Sequence, residues 1–321
     1  MQKGNTQARK SVKNKAVLAL LGIVAAVSVF ITANGRWHEI YSFFGLSGNK
    51  AFASSDGVSV HFIDVGQGDC ALIITPENNL LIDSGEREYS GAVINYLRAQ
   101  GVRKLDFIIV SHPHSDHIGG MGNIINEFGA DRIIMPRVSE ALIPTTTAFE
   151  RLLDSISNSG TEVIWAESGM IFDLGNNSRL EVIAPFSDSE YEKLNDYSIV
   201  AKFTHTAEEA SVSSSFLFTG DIESIAENDI TDREIDIRAD VLHVAHHGSL
   251  TSSTAKFLNM VSGRYAVISV GSPNSYNHPR DEVLNRIERR DYEILRTDLH
   301  GNIVFDCTAG GLSVYVQKGN A

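Results

Sequence analysis

Apolar residues along this chain arrive mostly in short runs separated by polar, glycine-bearing breaks. That rhythm predicts strands more than long helices. Residues 58–65 (VSVHFIDV) and 70–75 (CALIIT) are apolar, β-branched runs flanking GQGD, which reads as a hairpin turn. The runs NLLIDSG, LDFIIV, RIIMP, TEVIWA, RLEVIAP, SIVAKFTH and SSSFLFTGD also read as strands, as do YAVISVG, YEILRT, NIVFDC and LSVYVQ. DVLHVAHHGS reads as a strand running into a loop. Helical spacing appears in SGAVINYLRAQG, in TTTAFERLLDSISNSG, near TAKFLNMV and in PRDEVLNRIERR, with Gly101 and Gly160 as candidate stops. Several strand runs are apolar at nearly every position, which predicts burial on both faces. The expected fold class is α/β, with stacked sheets and helices outside.

The N-terminus breaks this rhythm. Residues 16–33 form eighteen positions without a charge, about the shortest length that spans a bilayer. Residues 1–15 carry Lys3, Arg9, Lys10, Lys13 and Lys15 and no acid. The positive-inside rule keeps that segment in the cytoplasm and predicts a transmembrane signal anchor over 16–33. Residues 34–55 then form a linker, and 56–321 a body outside the cytoplasm. The chain is thus expected to be a single-pass membrane protein. It would be secreted if the segment were cleaved, but Ile31 spoils a small-x-small cleavage site directly after the apolar run.

Composition adds limits. At 321 residues, 43% hydrophobic and 21% charged, a sizeable core is expected. The total charge is −13 and residues 1–15 carry +5, so residues 16–321 carry −18. An acidic body argues against a broad basic groove for nucleic acid. Cys70 and Cys307 are too few for a thiolate zinc site and read as buried core residues, or as one disulfide outside the cytoplasm.

The chemistry concentrates in SHPHSDHIGG, residues 111–120, where His112, His114, Asp116 and His117 follow the strand run FIIV. The reading places them on a loop beyond the strand's end, where open α/β sheets hold ligands. Two alternating histidines suit one metal ion, and the Asp–His pair a second. Four ligands are too few for two tetrahedral ions. FLFTGD supplies Asp221 as a bridging carboxylate, and HVAHHGS supplies His246 and His247. His38, His61, His205 and His300 each stand alone and read as structural. No G-x-S-x-G elbow or phosphate-binding P-loop offers another route to catalysis.

These motifs, in this order, resemble the metallo-β-lactamase superfamily. HFIDVGQGDCALI, NDYSIV, LFTGDIE, HVAHHGS, NSYNHP and LRTDLHGNI are similar to the hydrolase domain of ComEC-type competence proteins. The resemblance implies a four-layer αββα sandwich and two divalent cations, zinc or manganese. It implies that His112 and His114 hold one ion, and Asp116, His117 and His247 the other, with Asp221 between. Asp83 would orient a ligand imidazole. The wider superfamily's third-motif histidine has no counterpart between His117 and His205; Asn195, Asp196 or Ser198 occupies that region, with Asp196 a candidate ligand. Asp64, Gln67 and Asp69 either shape the site or serve the turn. Asp116, His246 and His278 are the candidate catalytic groups, with His246 or His278 giving a proton to the leaving oxygen.

The implied activity is that of an extracytoplasmic phosphodiesterase or nuclease. Its substrate would be DNA or an envelope phosphodiester, with the membrane met through the N-terminal helix and no obligate protein partner. The alternatives are an esterase of phosphocholine-bearing envelope polymers, β-lactam hydrolysis, and a non-catalytic partner in a competence or envelope assembly.

Overall fold

The computed structural model describes residues 57–207 and 212–319. The anchor expected over 16–33 and the linker lie outside these residues. Among the described residues no helix is long and apolar enough to cross a membrane.

Fifteen strands form two mixed sheets among the described residues. The first sheet contains β1 (Ser59–Phe62), β2 (Ala71–Ile74), β3 (Asn79–Ile82), β4 (Leu105–Ile109), β5 (Ala130–Pro136) and β6 (Glu162–Ala166). The second contains β7 (Ile171–Asp173), β8 (Ser178–Ala184), β9 (Val200–Thr206), β10 (Ser213–Phe218), β11 (Val241–His243), β12 (Tyr265–Ile268) and β13 (Glu293–Arg296). β14 (Ile303–Thr308) and β15 (Gly311–Val316) return to the first sheet, ordered β15-β14-β1-β2-β3-β4-β5-β6. The second runs β13-β12-β11-β10-β9-β8-β7.

The two-residue period of a strand explains the near-continuous apolar runs. In and beside β1 and β2, Val58, Val60, Phe62, Ala71 and Ile73 join one buried cluster between the sheets. Ile63, Val65, Cys70 and Leu72 join another, beneath the helices. Phe62, Phe216, Phe218 and Phe305 meet in the inner cluster, with Phe216 and Phe305 centroids 5.6 Å apart. Each such ring contributes roughly 1.5–3 kcal/mol by its burial.

The first sheet's outer face is covered by α1 (Ser90–Ala99), α3 (Met121–Phe128) and α4 (Thr147–Ser159). The one-turn α2 (Ser115–Ile118) lies between α1 and α3 in sequence. The second sheet is covered by α5 (Ser224–Asp232), α6 (Ala255–Val261) and α7 (Asp281–Glu288). The short α8 (Thr297–His300) follows β13. Helix ends follow local chemistry: the Thr146 hydroxyl accepts from Phe149 N at α4, and Gly160 ends that helix with φ 71°. This is the expected sandwich. Cys70 and Cys307 are both buried, and they sit in different clusters on opposite faces of the sheet.

His61 shows how an isolated histidine is built into the frame. It points from β1 to the outer face, with its two ring nitrogens 2.7 Å from Ser59 Oγ and 2.7 Å from Tyr96 Oη. Hydroxyls donate or accept, so a neutral ring is satisfied there. Burial pushes the imidazole down to about 3. The unfolded chain takes up a proton near pH 6.5 that the folded chain refuses until about pH 3. Stability therefore falls as pH falls through that window. Between pH 7 and 5 the loss from this group is roughly 2 kcal/mol. His61→Leu is expected to reduce the acid loss of metal-free protein by about that amount, read by urea unfolding at both pH values. Equal acid losses in the two proteins would refute it.

Candidate metal centre

The candidate residues gather at one edge of the sandwich. Asp83 follows β3, the 112–117 run follows β4, Asp221 follows β10, and His246 and His247 follow β11. His114 is the N-cap of α2, and Asp116 and His117 lie within that helical turn. The segment expected as a loop is therefore partly helical, which puts Asp116 and His117 on a fixed turn.

Asp116, His117, Asp221 and His247 bring one ligand atom each within 4.8 Å of one another. His117 Nε2 is 3.3 Å from Asp221 Oδ1, and His247 Nε2 is 3.3 Å from Asp116 Oδ2. Two donors on one tetrahedral ion, each about 2.1 Å from it, stand about 3.4 Å apart. His117 Nε2 and Asp221 Oδ1 are buried without a hydrogen-bond partner, a state that a shared cation relieves. On the other side, His112 Nε2 lies 2.9 Å from His114 Nδ1 and 3.8 Å from Asp221 Oδ2. These residues suit divalent cations in two adjoining sets, with Asp221 common to both.

The ligand rings are oriented from behind. Asp83 is buried with φ 56°; it accepts from Ser111 N, Ser111 Oγ and His117 Nδ1 at 2.8, 2.5 and 2.8 Å. His117 Nε2 is thereby turned to the cluster. His247 Nδ1 donates to the Ser269 carbonyl at 2.9 Å, with Asp69 Oδ1 at 3.3 Å. His243 stands behind that pair, 3.6 Å from Asp69 and 2.8 Å from Ser269 Oγ. Nothing in the sequence singles out His243, because it ends an ordinary buried strand.

Electrostatics match cation binding. Burial pushes the His117 imidazole down, but Asp221, Asp116 and Asp83 outweigh it and hold the group well above its ordinary value. The same balance, with Asp221, Asp116 and Asp69, raises His247. Burial pushes Asp221 up, but the His117 and His247 rings hold it well below the usual carboxylate range. His112 and His114 are pushed down by burial, so they present neutral imidazoles.

The third-motif region divides three ways. Asp196 caps α5: its Oδ1 accepts from Glu223 N at 2.9 Å and Ala226 N at 3.2 Å. Like His112 and His114 it stands outside the four-residue ligand group; its Oδ1 is engaged by the start of a helix, while its Oδ2 is buried without a hydrogen-bond partner. Ser198 Oγ accepts from Asp221 N at 3.1 Å. Asn195 Nδ2 is 3.3 Å from Glu223 Oε1 and 3.5 Å from His246 Nδ1.

His246 and His247 have φ of 52° and 53°, a conformation few L-residues adopt. The turn is held by His246 N donating to Gly220 O and Ser249 N to His246 O, at 3.0 and 2.8 Å. His247 is buried among the carboxylates, while His246 faces a cleft of about 530 Å³. His278 lines the same cleft, its ring 5.6 Å from that of His246. Burial, with His246 and His247 nearby, pushes His278 down to about 4.

The GQGD turn supports the centre through its backbone. Asp69 N donates to Asp116 O at 3.2 Å. Gly68 has φ 131°, and a Cβ there would lie 2.2 Å from Asp116 O. Gln67 lines the cleft, whereas Asp64 accepts from Gly66 N within the turn and pairs with Lys318. Gly68→Ala is expected to displace Asp116, lower bound metal and cost about 1–3 kcal/mol. Metal content and thermal unfolding check this; unchanged values for both would show that the turn does not position Asp116.

Residues 63–189 match the family model described as the metallo-beta-lactamase superfamily. The chain is 28% identical over 284 residues to ComE operon protein 3 of Bacillus subtilis, covering 82% of this chain and 35% of that protein. It is 32% identical over 254 residues to competence protein ComA of Neisseria gonorrhoeae, covering 78% and 32%. The chain thus spans about a third of the length of these curated relatives. Among solved structures it resembles CmlA, a diiron beta-hydroxylase from Streptomyces venezuelae. The TM-score is 0.51 at 13% identity, covering 82% of this chain and 58% of that one. That likeness concerns the fold alone.

Proposed function

This chain carries a metallo-β-lactamase superfamily domain similar to ComEC-type competence proteins, and from that premise we propose that it is a metal-dependent hydrolase of phosphodiester bonds acting outside the cytoplasm. The observation that carries the reading is Asp221. Its Oδ1 faces His117, and its Oδ2 faces His112, His246 and His247 at 3.7–3.8 Å, beside an open cleft. A binding module has no need of a carboxylate shared between two imidazole sets.

His112, His114 and Asp221 would hold one cation, and Asp116, His117, His247 and Asp221 the other. When bound, the cations supply Lewis-acid charge and lower the pKa of water. The remaining work belongs to the side chains. Asp83 and the Ser269 carbonyl hold His117 and His247 with their Nε2 atoms toward the cluster. His246 Nδ1 lies 3.2 Å from Thr251 Oγ1 and 3.8 Å from Glu223 Oε1, which leaves Nε2 toward the cleft. His246 Nε2 is thus placed to give a proton to a leaving oxygen, with His278 beside it. The similarity to competence proteins supports a nucleic-acid substrate; the acidic body supports a smaller envelope phosphodiester.

The metal-loaded chain should be screened against single-stranded DNA, bis-p-nitrophenyl phosphate, phosphocholine esters and a β-lactam. Turnover of the first two is expected. Turnover of phosphocholine esters alone selects the envelope esterase, and none at all selects the non-catalytic reading. A reporter fused after Ala321 that works only outside the cytoplasm is expected to be active; a signal from a cytoplasm-only reporter would overturn the location.

A further inference from the structure

Tyr276 stands at the rim of the metal-centre cleft and is 60% exposed. One face of its ring stacks on His278, with centroids 5.7 Å apart and planes 25° apart. The loop beneath is stitched by one side chain. Asn274 Nδ2 donates to Gly271 O and His278 O, both at 2.7 Å, and Asn274 Oδ1 accepts from Tyr276 N and His278 N at 3.1 and 3.0 Å. A large aromatic ring is thus held open to solvent on a fixed support. The supporting His278 stands beside His246 and His247, whose rings lie 5.6 and 6.5 Å from it. Pro113, Pro144 and Leu194 add apolar lining to the cleft.

We propose that the Tyr276–His278 stack is a platform for one base of a single-stranded nucleic acid whose phosphodiester lies against the metal cluster. This rests on the phosphodiesterase reading and names the substrate class. A flat π-face recognises any base without reading its sequence. A duplex keeps its bases paired and offers no free face here. A quaternary ammonium group is the weaker match, because such cations are held by several aromatic faces. Among the described lining residues Tyr276 is the one benzenoid ring, and the lining acids, Asp116 and Asp221, both belong to the ligand group of the metal centre. At about 530 Å³ the cleft has the size of a small-molecule site, suited to a nucleotide unit.

The test uses the full metal-loaded chain and a phosphorothioate-linked oligonucleotide carrying 2-aminopurine, whose fluorescence is quenched by stacking. Wild type is expected to quench it on binding. Tyr276→Ala is expected to lose the quench and bind at least about fivefold more weakly, while Tyr276→Trp retains both. With cleavable strands, the preference for a base-bearing over an abasic site is expected to fall by at least about fivefold in Tyr276→Ala. No quench in wild type, or equal quench in Tyr276→Ala, overturns the platform. Quenching without cleavage of any phosphodiester keeps the platform and sinks the hydrolytic reading, so the two failures are told apart.

Discussion

Asp221→Asn is expected to leave less than one bound metal ion per chain and to lower turnover by about 10³-fold or more. The amide keeps the volume of the carboxylate but loses its charge and one acceptor oxygen. Both oxygens face imidazoles of the centre, Oδ1 that of His117 at 3.3 Å and Oδ2 that of His112 at 3.8 Å. An amide NH₂ in either position presents hydrogens where a cation needs a lone pair. Removing several kcal/mol of charge stabilisation corresponds to a rate loss of that order. The backbone is untouched, because Asp221 N still donates to Ser198 Oγ. Elemental analysis, steady-state kinetics and circular dichroism decide the matter. A folded Asp221→Asn protein with two metal ions and full turnover would remove Asp221 from the centre.

The parts of this centre that were legible in sequence are those where one strand end carries several ligands. His112, His114, Asp116 and His117 announce themselves by spacing, and His246–His247 by following a strand. The sheets were legible because burial on both faces turns strands such as β2 and β12 into unbroken apolar runs. What failed depends on distant contacts. Apolar spacing does not mark α5: its buried residues are Ala226, Glu227, Ile230 and Thr231, so its core stripe is half polar. The cap of α5 comes from Asp196, nearly thirty residues away, and no local pattern links the two. The same tertiary bond gives Asp196 a capping role that its place in the sequence does not announce. The α3 helix is obscured by the glycines before and within its first turn. His243 and Glu223 join the site only because β10, β11 and the GQGD turn converge on one edge.

The adjacent pair is expected to divide the work: His247→Ala should lose about one metal ion per chain, and His246→Ala should keep both. His247 is buried, its Nδ1 donates to the Ser269 carbonyl, and its Nε2 stands 3.3 Å from Asp116 and 3.7 Å from Asp221. Without it, the remaining ligands cannot close that set. The His246 side chain is 21% exposed and faces the cleft beside His278. If it donates a proton, His246→Ala should lower turnover by about 10²-fold or more. KM should change less than kcat, because the contact matters most in the transition state. Both residues adopt left-handed backbone, so any strain from alanine is common to the two variants. Asparagine, which tolerates that conformation, provides a matched second pair. Metal content and kinetics of these variants separate the outcomes. Metal loss in His246→Ala with retention in His247→Ala would reverse the roles. Full metal and full activity in both would remove the HHGS segment from the centre, and with it the second set of ligands.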